Sequence, residues 1–540
     1  MQHRSFSRRH GMLLAVLALA AVALVALLAA AGCGGGGGTS ASPTAGPKAD
    51  IFRAAYSSTI TTWDPSPSYS TEVVYMANLY EPLIYANPPG SAEPFSPALA
   101  TSWEVSPDGL EWTFKLREGV TFHDGTPFNA DAVKYSIDRT KKLNLGAAYI
   151  WAPVKEVVVV DEYTVKFVLS NPTALDRIAG ASSGSWIFSP ATADKDQAWW
   201  DEGNEAGTGP WMLESYKPNE ELVFVRNPKW WGEWKDNQFQ KIVIKIVAEA
   251  GTQRQMIEAG EVDYIGLVAR DQVDAIAAGG SVDIVKAQTW NSYLMFFNTQ
   301  KKPLDNVKVR QALSYAIPSE DLITVGANGL GTQADGPVPV GLWPNAAGGL
   351  PQYTYDLEKA KQLLAEAGYP DGGFKLTLTH AAENPLEQRF APLIKESFAK
   401  IGVDVTVQPL LWNQQWAKAK GAADKRQDLL VLLWWPSYPD GYDNLYSMFT
   451  TEKDPAWNLA YWYNADYDQT LDEAHKLSAT DVAKSQELYT EAQTMLIDDA
   501  PAAYLFDALG VTAKLKTIKL GAMAINPNYP QVLFWTAVTL

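Results

Sequence analysis

A single cysteine, Cys33, stands in a chain of 540 residues, so no disulfide within the chain and no cysteine metal cluster can form. Its setting decides its chemistry. Arg4, Arg8 and Arg9 precede an uncharged run from Gly11 to Gly32 rich in Leu, Val and Ala, and Ala30-Ala31-Gly32 leads directly into Cys33. A basic start, an apolar middle and small residues before a cysteine read as a signal peptide over 1–32 with Cys33 as the lipidation site. The competing reading is an uncleaved anchor, because Met12 to Ala31 is long enough to reach across a bilayer. Both readings put the rest of the chain outside the cytoplasm, held at the cell membrane.

Catalytic patterns are present on paper but lack their contexts. Gly180-Ala181-Ser182-Ser183-Gly184 matches the nucleophile elbow of serine hydrolases, which needs an apolar strand before it and a helix after it. Here Pro172 and Ala174-Leu175-Asp176-Arg177 precede, and Trp186-Ile187-Phe188-Ser189-Pro190 follows. Gly329-Leu330-Gly331-Thr332-Gln333-Ala334 has the outline of a dinucleotide loop without the strand and helix that such a loop joins. Beyond the leader, His123, His380 and His475 are unpaired at any metal-ligand spacing. A glycosidase needs two facing carboxylates, and 61 acidic residues single out no pair. The expectation is a chain that is not an enzyme and has neither cofactor nor metal, with a secreted serine hydrolase as the enzymatic alternative.

Recognition remains. Twenty tryptophans offer large aromatic faces, which bind ligands with little entropy cost when they line a cleft. The formal net charge of −17 argues against nucleic acid as a partner, since phosphate recognition requires basic patches.

These residues need elements to position them. Residues 33–49, rich in Gly, Ser, Thr and Pro, cannot bury enough apolar surface to fold and form a flexible tether. The remaining chain, roughly 490 residues, exceeds what one hydrophobic core supports. Trp112, Phe114 and Leu116 alternate after Ser106-Pro107-Asp108-Gly109, predicting a hairpin with one buried face. Asn129 predicts a helix cap, with Val133 and Ile137 on the covered side. From Asp356 the periodicity predicts a helix ended by Gly368, then a strand at Phe374 to Leu378. A helix carrying Phe390, Ile394 and Phe398 follows, then a strand at Val403 to Val407. Such a βαβ unit has parallel strands. The apolar run Leu429 to Trp435 predicts a central strand covered on both faces, and open α/β sheets bind ligands at strand ends.

Ordered blocks now carry a resemblance over roughly Ile51 to the C-terminus. They run from Leu79-Tyr80-Glu81-Pro82-Leu83 through Pro97 to Trp103, Trp112 to Arg117 and Phe122-His123-Asp124-Gly125-Thr126-Pro127. Gly207-Thr208-Gly209-Pro210, Arg226 to Trp231, Phe297-Asn298, Val309 to Leu313 and Tyr438-Pro439-Asp440 continue the series. The chain resembles the peptide/nickel (family 5) extracytoplasmic solute-binding proteins of ABC importers. The resemblance implies an α/β, two-lobed periplasmic-binding-protein-like clamp, type II and cluster C like, with an extra α+β domain inserted in lobe I. Lobe I would comprise 50–85, 205–295 and 505–540, the insert 86–204, and lobe II 296–504.

Its implied function is capture of a small solute, an oligopeptide by family default, for delivery to a permease. An oligosaccharide or other uncharged solute is the alternative cargo. Implied partners are the ABC permease subunits and, through lipid, the membrane; the protein would be a monomer. By position, Tyr69 and Tyr293 match ligand-facing residues of lobe I. Trp412, Trp434, Trp435, Ser437 and Tyr438 match those near the central strand of lobe II. Ser437 stands where peptide binders have an aspartate for the ligand's amino terminus, and a serine cannot offer charge-assisted pairing to an ammonium; Asp440 is the nearby acid that a shifted loop would supply.

Overall fold

Leu429–Trp434 is apolar at every position, a pattern that suits a strand covered on both faces. The computed structural model describes residues 50–540 apart from 70, 347, 454 and 455, and places this strand inside an 11-stranded sheet. It pairs in parallel with Lys375–Ala381 and antiparallel with Val282–Phe297. Asp404–Leu410 completes that edge, parallel to Lys375–Ala381 from Lys375↔Asp404 to Ala381↔Leu410. The βαβ unit expected from periodicity is therefore present. Its helix, Pro385–Ala399, starts where Asn384 accepts the Leu386 and Glu387 amides, and Pro385 occupies the first turn, where no N–H is needed. Phe390, Ile394 and Phe398 recur at i, i+4 and are fully buried; each contributes roughly 2–3 kcal/mol of burial. Gly402, at φ 77°, stops the helix with its Cα against the Asp371 carbonyl, where a Cβ would sit 2.2 Å from that oxygen.

In the other half of the sheet, Ile51–Tyr56 runs parallel to Lys241–Ile246 and Tyr264–Ile265. Glu221–Arg226 and Trp211–Lys217 extend it antiparallel. Two long strands, Val282–Phe297 and Ala502–Leu515, belong to both halves. Residues 282–288 pair with 509–515, and 292–296 with 502–507; between them the ladder breaks after Gln288 and resumes at Ser292. The fold is thus two α/β lobes sharing a pair of strands. Each lobe has its own apolar core, one around Phe52, Trp211 and Trp535, the other around Phe297, Phe390 and Leu429.

The hairpin Ala100–Val105 and Glu111–Leu116 forms as the alternation predicts, with Trp112, Phe114 and Leu116 buried. It joins Thr164–Leu169 and Val154–Asp161 in a separate four-stranded antiparallel sheet. Helix Ala130–Leu143, capped by the Asn129 side chain, packs on that sheet. Arg139 on this helix grips Asp64 through two 2.6 Å hydrogen bonds, tying the small sheet's domain to the first lobe. The Gly207-Thr208-Gly209 block passes so close to Leu79 that a Cβ on Gly207 would lie 1.9 Å from its carbonyl oxygen. The leader, Cys33 and the tether lie outside the described residues. Among the described residues no helix is long and apolar enough to cross a membrane.

Candidate functional site

The three parallel strands Asp404–Leu410, Lys375–Ala381 and Leu429–Trp434 all point their carboxyl ends at one cavity of about 900 Å³. This is where an open α/β sheet leaves room for a ligand, because the chain turns away into helices and the strand ends diverge. After Ala381 the chain makes its turn at Asn384, whose amide donates to Glu387 Oε1 at 2.9 Å and to the Tyr293 hydroxyl at 3.1 Å. The other Glu387 oxygen accepts the Ala381 amide at 2.7 Å. Burial raises Glu387 to about 7, against the pull of those two donors. After Leu410, Glu383 accepts the Trp412 amide at 2.8 Å and so caps helix Trp412–Ala419 from a neighbouring loop.

Indoles make the wall beyond. Trp412 stacks on Trp457 with centroids 6.3 Å apart, Trp416 meets Trp457 at 4.5 Å, and Trp434 meets it edge-on at 5.3 Å. Opposite, Tyr69 from the first lobe and Tyr149 from the small-sheet domain close the space. The Tyr149 hydroxyl donates to Ser437; the Ser437 amide donates to Asp443 Oδ2 at 3.1 Å, and the Ser447 hydroxyl to Oδ1 at 3.3 Å. Burial raises Asp443 to about 6, and the same cause raises Tyr69 and Tyr149.

Six of the residues singled out from sequence line the cavity together: Tyr69, Tyr293, Trp412, Trp434, Trp435 and Ser437. Two do not. Tyr438 turns the other way into the core of the small-sheet domain, because its ring finds apolar cover there. Asp440 faces Arg177, 3.4 Å from its Nε, and accepts the Tyr442 amide at 2.8 Å. The acid nearest Ser437 is therefore Asp443, one helical turn along, and not Asp440.

Sequence reasoning passed over Glu383, Asn384, Glu387, Tyr149, Asp443, Tyr446, Glu452 and Trp457, which also line the cavity. For Glu383, Asn384 and Glu387 the signal existed, since they directly follow a strand of the βαβ unit and ligands gather there. Nothing in local pattern marks Tyr149 or Trp457.

Elsewhere the candidate chemistry dissolves into structure. Ser182 follows helix Leu175–Ala179, not a strand, and its hydroxyl accepts from Asn526 at 2.8 Å. Gly331–Thr332 is a short strand against Ala508 and Asp507. His123 bonds Glu205 and the Gly209 carbonyl, and His475 stacks on Tyr442 at 3.8 Å. Trp230 and Trp231 both donate their indole N–H to the buried Glu81. Among the described residues no cluster of His, Cys, Asp and Glu is arranged to hold a metal.

Comparison with known proteins agrees with this architecture. The model of the bacterial extracellular solute-binding proteins, family 5, matches residues 94–456. A probable D,D-dipeptide-binding periplasmic protein of Escherichia coli is 31% identical over 439 residues, covering 80% of this chain and 83% of that protein. The heme-binding protein A of Haemophilus influenzae is 32% identical over 435 residues, covering 75% of this chain and 77% of that protein. Among solved structures, the periplasmic binding protein DppA of Helicobacter pylori, in complex with the peptide STSA, superposes with a TM-score of 0.71 at 26% identity, covering 91% of this chain and 98% of that one. The chain belongs to the bacterial extracellular solute-binding proteins of family 5.

Proposed function

We propose that this protein captures a small solute of the peptide class between its lobes, outside the cytoplasm, and delivers it to the permease of an ABC importer. The observation that carries the reading is the cavity of about 900 Å³ walled by aromatic residues of both lobes and of the small-sheet domain. Its size suits a solute of a few residues, and its indole and phenol faces supply contact area while the strand-end polar groups fix orientation. The relatives named for dipeptides and for a bound tetrapeptide support the class of cargo.

Residues 50–85, 205–295 and 505–540 would move as one lobe carrying the 86–204 domain, against 296–504, with Cys33 lipidated to hold the clamp near its permease. The protein binds and releases; no bond in the ligand changes.

Screening the ligand-free protein by thermal shift against peptides, oligosaccharides and metal chelates tests the reading. A true ligand at a thousandfold excess over its dissociation constant stabilises the fold by about 4 kcal/mol. Trp412→Ala, which removes an indole face from the wall, should weaken that ligand by roughly tenfold to a hundredfold. A panel in which no solute binds, or in which binding ignores Trp412, sinks the reading.

A further inference from the structure

Four carboxylates reach the cavity wall: Glu383, Glu387, Asp443 and Glu452. Neutral groups of the chain hold them in place. Glu387 has the Ala381 and Asn384 donors, Asp443 has Ser437 and Ser447, Glu383 has the Trp412 amide, and Glu452 accepts the Ala456 amide at 2.5 Å. Among the described residues none of the four forms an ion pair, and no Lys, Arg or His lines the cavity. The four internal residues outside the description are Ser70, Ala347, Asp454 and Pro455, none of them basic.

The cations in the neighbourhood are engaged elsewhere. Arg270, whose charge reaches Tyr293, donates to the Leu330 and Leu509 carbonyls at 2.9 Å. Lys420 lies over the Trp416 ring and donates to the Ala456 carbonyl.

Gln415 and Trp434 also line the cavity, with the Gln415 Oε1 and the Trp434 indole N–H covered by the wall itself. Carboxylates taken out of water without a counter-charge are costly, as the raised values of Glu387 and Asp443 record. Beside them stand the faces of Trp412, Trp434 and Trp457, which attract cations through the ring quadrupole. A ligand carboxylate, by contrast, would meet acids and find no cationic partner.

Resting on the reading of this cavity as the ligand site, we infer that the cargo is an organic cation without a free carboxylate, its ammonium taken up by the wall carboxylates, Asp443 or Glu387, beside the indoles. The family's peptide class then narrows to molecules whose carboxyl end is blocked or missing. A chain of net charge −17 also draws cations towards it at low ionic strength.

Calorimetric titration of the ligand-stripped protein with the dipeptide Ala-Phe, its C-terminal amide and the N-acetylated amide tests the inference. The amide should bind at least about tenfold more tightly than the free acid, and acetylation of its amine should cost at least about tenfold, the scale of one charge-assisted contact. Asp443→Asn and Glu387→Gln should each weaken the amide and leave the N-acetylated amide unaffected; should either variant fail to fold, the three-probe comparison on the unaltered protein decides alone. A free acid that binds as tightly as the amide, an acetylated amide that binds as tightly as the amine, or no binding of the amide overturns the inference. Binding of an oligosaccharide or an anionic chelate that depends on Trp412 would overturn it too, while leaving the solute-binding reading intact.

Discussion

Arg177 offers the sharpest test of the proposed clamp, in which it would help to hold the lobes together. It sits on helix Leu175–Ala179 of the small-sheet domain, which Arg139 ties to the first lobe, yet its guanidinium reaches the second lobe. There it lies 3.7 Å from the centre of the Trp343 ring and 3.4 Å from Asp440, with only 9% of its side chain and 2% of that of Asp440 exposed. Nε makes no hydrogen bond, so charge and stacking carry the contact. Arg177→Met keeps the apolar length and removes both. A desolvated cation over tryptophan contributes about 2 kcal/mol, while the attraction to Asp440 is largely offset by the desolvation of the pair. The closed state should therefore lose about 2–3 kcal/mol. If the free protein is mainly open, the whole loss appears in ligand affinity, a rise in Kd of roughly 30- to 150-fold. Burial already raises Asp440 to about 7, and without its partner the carboxyl takes up a proton more readily, which limits the damage at acidic pH. Adding Asp440→Asn to Arg177→Met removes the unpaired acid and should restore part of the affinity. Calorimetry would give Kd, and small-angle scattering the compaction on binding. A Kd within twofold of the unaltered protein, with unchanged compaction, would refute the reasoning.

Two other perturbations follow from buried acids. Glu81 accepts from Trp230, Trp231, Thr208 and Tyr85; Glu81→Gln leaves at least one of these buried donors unmatched and should lower stability by about 2–4 kcal/mol in urea unfolding. Glu387 and Asp440 at about 7, and Asp443 and Asp507 at about 6, all sit above their unfolded values. The folded form thus binds more protons, so their contribution is full at acidic pH and is lost as pH rises through 6 to 7. Burial lowers His475 to about 4 and lowers His380 as well, an opposing effect from two groups against four. The ligand-free protein should melt at a lower temperature at pH 8 than at pH 5.5, and a melting temperature that rises over that interval would contradict this.

Much of the second lobe was legible because its elements are local. The periodicity around Phe390, the helix start at Asp356 and its stop at Gly368 each follow from neighbours within a few residues. The cavity is another matter. Tyr69, Tyr149 and Trp457 come from distant segments, and only tertiary packing brings them to the same space. Residue-by-residue resemblance found the tryptophans near the central strand but went one step too far at Tyr438, whose ring lies in a different core. The acids escaped notice for a different reason. With 61 Asp and Glu in the chain, no spacing rule separates four carboxylates lacking a counter-ion from those on a solvated face.

The break in the two shared strands bears on the motion of the proposed clamp. Between Gln288 and Ser292 the ladder is already open, and the local groups find other partners: Thr289 bonds the Ala508 carbonyl and the Trp290 amide bonds Pro527. A joint built this way can flex without snapping a row of cross-strand hydrogen bonds. On the clamp reading proposed above, this joint is where the lobes would bend as they close on a solute. Selection of cargo is left to the walls, so the wall residues can diverge to accept new solutes while the same joint continues to work.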